Sequence, residues 1–183
     1  MPRTRRLALL VIAASLAATL HAQGAPGAAP VITHPGTTYG PVPGVTFAGD
    51  AALTYRFAWA IAESADSAGH VTPGFLAAAR VLNTLVADGV PRDHIQLAIV
   101  ARGPAAVDML DNDAYRALKG RDNPNLPILR LLSAQGVRLI ICGQTMVGRK
   151  LPREGYPPFV LVSRAATMAQ ARLAAEGFTF NPF

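Results

Sequence analysis

Apolar residues along this chain recur in two alternating rhythms, and the alternation sets the fold class. Tyr55-Arg56-Phe57-Ala58-Trp59-Ala60-Ile61-Ala62 puts β-favouring side chains at alternate positions, the pattern of a strand. Thr72-Pro73 joins a cap residue to a proline at the first helical position, and Phe75, Ala79, Leu82 and Val86 then recur at helical spacing. Gly89 and Pro91 end that helix. Ile95 to Ala101 is almost continuously apolar, as in a parallel strand covered on both faces.

After Gly103-Pro104 a short amphipathic segment runs to about Leu118, and Gly120-Arg121-Asp122-Asn123-Pro124 forms a polar turn. Asn125 is placed to cap a helix that runs to Gln135 and closes on Gly136. Val137 to Ile141 reads as a third strand, Phe159 to Val162 as a fourth and Phe178 to Phe180 as a short last one. Between the last two, Ala166, Ala169 and Leu173 mark one face of a helix. Strand-helix alternation of this kind predicts one α/β domain over residues 53–183. Its sheet is mostly parallel, with right-handed crossovers and helices on both faces.

The N-terminal third breaks both rhythms. Arg3, Arg5 and Arg6 precede an uncharged apolar run from Leu7 to Leu20, and Ala22 and Ala25 offer small-residue cleavage points. That layout is a secretory signal peptide over residues 1–22, its apolar run too short to span a membrane. A periplasmic or secreted chain with no membrane span in its mature form is expected. From residue 23 to 52, Pro26, Pro30, Pro35, Pro41 and Pro43 exclude helix and central strand. This stretch is a tail and an extended arm, with Tyr39, Val42, Val45 and Phe47 available for burial against the body.

Charge changes the picture little. The formal charge is +6, but half of it sits on the three arginines of the leader. The remaining basic residues are dispersed and not interleaved with aromatics, so no nucleic-acid partner is expected.

The chemistry gathers at one residue. Cys142 is the one cysteine in the chain, and Cys142-Gly143-Gln144-Thr145 directly follows the third strand. Ligands and reacting groups collect at the carboxyl ends of parallel strands, beside the amino end of the next helix. There a thiolate is stabilised by free backbone N–H groups. The alternative is a small buried hydrophobe, the usual fate of a lone cysteine. A single cysteine excludes an internal disulfide and a CxxC oxidoreductase. His34, His70 and His94 are scattered without ligand spacing, so no metal site is expected. No GxGxxG follows the first strand, and neither a GxxxxGK[ST] loop nor a GxSxG elbow occurs. Nucleotide-cofactor and serine-hydrolase chemistry are therefore disfavoured, and no cofactor is expected.

Several short blocks, in order, resemble the exported branch of the DsrE/DsrF-like family of small sulfur-handling proteins. They are Tyr39-Gly40-Pro41-Val42-Pro43, Ala79-Arg80-Val81-Leu82-Asn83, Ala87-Asp88-Gly89-Val90-Pro91, Gly103-Pro104-Ala105, Asp122-Asn123-Pro124-Asn125, and Gly136-Val137 with Cys142-Gly143-Gln144. The resemblance implies a three-layer α/β/α domain with a five-stranded parallel sheet of flavodoxin-like topology, assembled into trimers or hexamers. It further implies that Cys142 can carry sulfur as a persulfide. One position departs from the pattern: Arg102 stands where many relatives have a histidine, which puts acid-base chemistry there in doubt. An arginine there instead offers an oxyanion fork, or pairs with Asp111 or Asp113 at the surface.

Two functions of different class follow. The first is a sulfur-relay protein with Cys142 as nucleophile, Arg102, Gly143, Gln144 and Thr145 as binding residues, and a small sulfur species or a sulfur-accepting protein as partner. The second is a non-catalytic oligomeric binding module with the same fold. An exposed Cys142 of lowered pKa favours the first, and a fully buried one favours the second.

Overall fold

A computed structural model of the chain describes residues 27–65 and 69–180. The expected signal peptide and the start of the tail lie outside the described residues. Five strands alternate with helices: β1 (Tyr55–Ile61), α1 (Pro73–Ala87), β2 (Ile95–Ala101), α2 (Asn112–Lys119), α3 (Leu126–Ala134), β3 (Arg138–Cys142), α4 (Gly143–Gly148), β4 (Val160–Ser163), α5 (Ala166–Ala175) and β5 (Thr179–Phe180). The segment after Gly103, expected to be one amphipathic element, divides in two. Gly103–Met109 is a 3-10 helix, and α2 begins afresh where the Asp111 carboxylate accepts the Ala114 N–H at 2.8 Å.

The strands form one sheet in the order β4-β3-β2-β1-β5, with every pair parallel. This is an α/β fold of three layers. The order departs from the flavodoxin-like 2-1-3-4-5 arrangement, because the strand on the far side of β1 is the last one rather than the second. Handedness explains the layers. Three successive crossovers step the same way across the sheet, from β1 to β4, and right-handed connections put all their helices on one face. The fourth crossover runs back from β4 to β5, which puts α5 on the other, alone among the described helices.

Pleating divides the core accordingly. Trp59, Ile61, Leu97, Ile99, Leu139 and Ile141 face α1, α3 and their neighbours, where Phe75, Leu82, Ile128, Leu129 and Leu132 are completely buried or nearly so. Ala58, Ala98, Val100, Ile140 and Cys142 face α5 and pack against Ala166, Ala169, Leu173 and Phe178. The alanines on both sides of this second interface let the helix sit close to the sheet.

The arm docks through residues other than those expected. Tyr39, Val42, Val45 and Phe47 are exposed, Phe47 almost entirely at 99%. Ile32 and Thr37 are the buried residues instead. The cause is Asn83 of α1, whose Oδ1 accepts the Ile32 N–H at 3.0 Å while its Nδ2 donates to Ile32 O at 2.8 Å and Thr37 O at 2.9 Å. Backbone polar groups drawn into the core need such partners, and one amide side chain satisfies three of them. Asn83→Ala is therefore expected to cost about 1–3 kcal/mol of unfolding free energy. Chemical denaturation measures that loss, and hydrogen exchange should show the Ile32 amide losing protection while the β2 amides keep theirs.

Candidate functional site

All five strands end on one edge of the sheet, and Cys142 is the last residue of β3. Its neighbours follow from the register. Cys142 pairs with Ser163 on β4, and Ala101 with Ile141 on β2, so Arg102 lies opposite Cys142 one residue beyond the ladder. The connection after β3 leads to α4 on one face, whereas the connection after β4 leads to α5 on the other. Adjacent strands whose connections diverge mark a topological switch point, where α/β sheets place their ligand sites.

Here the switch point is tightly closed. A Cβ added at Gly143 would lie 2.9 Å from Ser163 O and 3.4 Å from Arg164 O. Only glycine lets the turn after β3 approach the turn after β4 this closely. Gln144 N–H donates to Arg164 O at 3.2 Å and ties the two turns together. The same approach brings Ala166 N–H to 3.3 Å from the Cys142 sulfur.

The Cys142 side chain is buried, at 5% exposure. Burial pushes the thiol up, but hydrogen bonds from the Thr145 hydroxyl and from the Thr145, Ala166 and Gln144 backbone N–H groups more than offset it. The net effect holds the thiol below its ordinary value. Thr145 is itself oriented, because its Oγ1 accepts the Gly103 N–H at 3.4 Å and its own proton is left for the sulfur. The loop after β2 thus acts on the thiol through Thr145.

The expected site residues divide clearly. Thr145 and Gly143 join Cys142, the first as donor and the second by permitting the close approach. Gln144 contributes its backbone N–H, whereas its side chain is exposed and makes no hydrogen bond among the described residues. Arg102 is exposed, and its side chain likewise has no hydrogen bond or ion pair there. It is not among the causes that lower the thiol, so activation comes from hydrogen bonds rather than from this cation. The surface pairing open to Arg102 is not used either, since Asp111 caps α2 and Asp113 pairs with Arg116. Arg138 shares the Cys142 face of β3 by alternation. It is kept from the site by lying at the opposite end of the strand, where it pairs with Glu176 at 2.7 Å.

Sequence reasoning missed the supports behind this edge. Asn125 makes no side-chain cap for α3, and its Oδ1 instead accepts Thr72 N–H at 2.7 Å. Asn123 donates to Asp108 O at 2.9 Å and Leu110 O at 2.6 Å, and Thr72 Oγ1 donates to Asp108 Oδ2 at 2.7 Å. This buried polar network locks the loops after β1 and β2 together. Tyr156, whose phenol donates to Ala106 O at 3.1 Å, is pushed up to about 12 by burial and braces the same 3-10 helix. Beside Gly143, Met146, Val147, Leu151 and Val162 line an apolar groove of about 500 Å³.

Thr145→Val removes the hydroxyl donor and nearly keeps the shape, so the Cys142 thiol is expected to titrate at higher pH than in the parent chain. Thiolate absorbance followed against pH reads the shift directly. Gly143→Ala should destabilise the fold by about 1–3 kcal/mol through overpacking against Ser163, measurable by chemical denaturation.

No family model matches the chain, and no curated protein does. Among solved structures, a protein of unknown function from Methanobacterium thermoautotrophicum is similar, with a TM-score of 0.50 and 21% identity. The alignment covers 69% of this chain and 97% of that one. The likeness is one of fold, consistent with the parallel α/β architecture.

Proposed function

We propose that this chain is a periplasmic or secreted sulfur carrier of the DsrE/DsrF-like kind, loading a persulfide on Cys142. The observation that carries the reading is the set of donors converging on one sulfur at a switch point: Thr145 hydroxyl and the N–H groups of Gln144, Thr145 and Ala166. These groups favour the thiolate, the form of cysteine that acts as nucleophile.

The loading step balances with a thiosulfonate donor. The Cys142 thiolate attacks the donor's outer sulfur, a sulfur–sulfur bond forms, and the donor's own bond breaks to release a sulfinate with the electron pair. An acceptor thiolate then attacks the outer sulfur of the persulfide, takes it, and returns Cys142 as thiolate. Arg102, exposed opposite Cys142 in register, offers its guanidinium to anionic donors on approach. The chain acts as a homo-oligomer, a trimer or hexamer. Support comes from the exposed apolar residues Val147, Leu161, Val162 and Met168 along the β4 edge, whose backbone has no strand partner beyond it among the described residues.

Burial of the thiol favours a second reading, a non-catalytic oligomeric module in which Cys142 is a packing residue under α5. Native-state chemistry separates the two. On the first reading the folded chain gains the mass of one sulfur atom from a polysulfide donor, Cys142→Ser abolishes the gain without unfolding, and Arg102→Gln slows loading by anionic donors most. On the second, labelling waits for denaturation. Assembly is tested apart from the thiol: light scattering should give a trimer or a multiple of it, and Leu161→Lys should shift the population toward monomer.

A further inference from the structure

A polar cavity of about 220 Å³ lies against the buried network at the carboxyl edge of the sheet, apart from the residues around Cys142. Ser64, His70, Asp108, Tyr115, Lys119 and Arg121 are among the residues that line it. Asp108 is 5% exposed and fixed on three sides. Its Oδ2 accepts the Thr72 hydroxyl at 2.7 Å, its backbone carbonyl accepts from Asn123, and it sits within the 3-10 helix after β2. Its Oδ1 has no hydrogen-bond partner among the described residues. Tyr115, buried beside it, makes no side-chain hydrogen bond there either.

The outer wall has the opposite charge. Lys119 ends α2, and Gly120 at φ 71 turns the chain so that Arg121 follows along the same wall. The acids nearest in sequence are already engaged. Asp111 caps α2, while Asp113 and Asp122 both pair with Arg116. Lys119, Arg121 and His70 have no ion-pair partner among the described residues. Among the described residues, a buried carboxylate with a free oxygen thus faces a cavity whose rim carries cations without an ion-pair partner.

We propose that this cavity binds a small zwitterion of the α-amino-acid class. The ammonium group donates to Asp108, and the carboxylate is held by Lys119 and Arg121. A simple anion would meet the repulsion of Asp108, and a simple cation that of the rim, so only a bifunctional ligand satisfies both ends. The site is independent of the sulfur chemistry of Cys142.

The test uses the folded chain with L-alanine and L-glutamine as probes, and propionate and ethylamine as the two halves of alanine. Binding is read by calorimetry and by NMR shifts of the Asp108, Tyr115 and Arg121 amides. At least one amino acid should bind saturably with shifts at those amides, and each half should bind about tenfold or more weakly, the loss of one charged hydrogen bond. Asp108→Asn should weaken amino-acid binding by about tenfold or more. Because that residue is buried, the exposed Arg121→Ala is the second arm and should weaken binding without changing the unfolding midpoint. The proposal is overturned if no amino acid binds, if propionate or ethylamine matches alanine, or if Arg121→Ala leaves affinity unchanged.

Discussion

The return of the chain from β4 to β5 is the constraint on which the remaining features depend. Four strands laid down in one direction stack their helices on one face, and a right-handed last crossover must then pass over the other. That leaves α5, with Phe178 just after it, to cover Ala58, Ala98, Val100, Ile140 and Cys142 among the described residues. It also makes the connections after β3 and β4 diverge, which creates the switch point where Cys142 pairs with Ser163. The same helix both buries the cysteine and supplies one of its four donors, the other three coming from Gln144 and Thr145 of α4. The first turn of α5 lies across it, bringing the methyl side chains of Ala166 and Ala169 for packing and the Ala166 N–H for the sulfur.

Close contact between two turns has a definite cost at Gly143, where any side chain would strike Ser163 O. The same contact gives the thiol environment its rigidity. Thr145 is held by Gly103, Gly143 and Gln144 are held by the β4 turn, and Gly103 follows a strand whose neighbouring loops are fixed by Asn123 and Asn125. Burial and hydrogen bonding oppose each other at the sulfur, and the bonds prevail because four donors meet one acceptor.

Much of this architecture was legible in the sequence. β2 spans Ile95 to Ala101 as read, and α1 starts at Pro73 as its Thr-Pro signal requires. Those elements declare themselves through local periodicity and through residues that only certain backbone positions tolerate. The functions of individual polar side chains were less legible. Thr72 and Asn125 have the chemistry of helix caps, yet each spends its side chain on a partner 36 or 53 residues away in the chain. Asn83 sits within an apolar helix stripe with nothing nearby to announce that it anchors the arm. Tyr39, Val42, Val45 and Phe47 stay exposed because the arm docks through Ile32 and the Asn83 amide instead. Cys142 was legible as the end of a strand, whereas the donor at Ala166 was not, since a backbone N–H has no sequence signature.

On the proposed function, the Cys142 sulfur is both more acidic than a free thiol and reachable by small molecules in the folded chain. The most direct measurement compares the pH profile of methanethiosulfonate modification of Cys142 in the folded chain and in the chain unfolded by urea. The folded chain should be modified without global unfolding, with a midpoint at lower pH than in the unfolded chain. A folded-state profile with a higher midpoint, or modification that proceeds only at the rate of global unfolding, would contradict it.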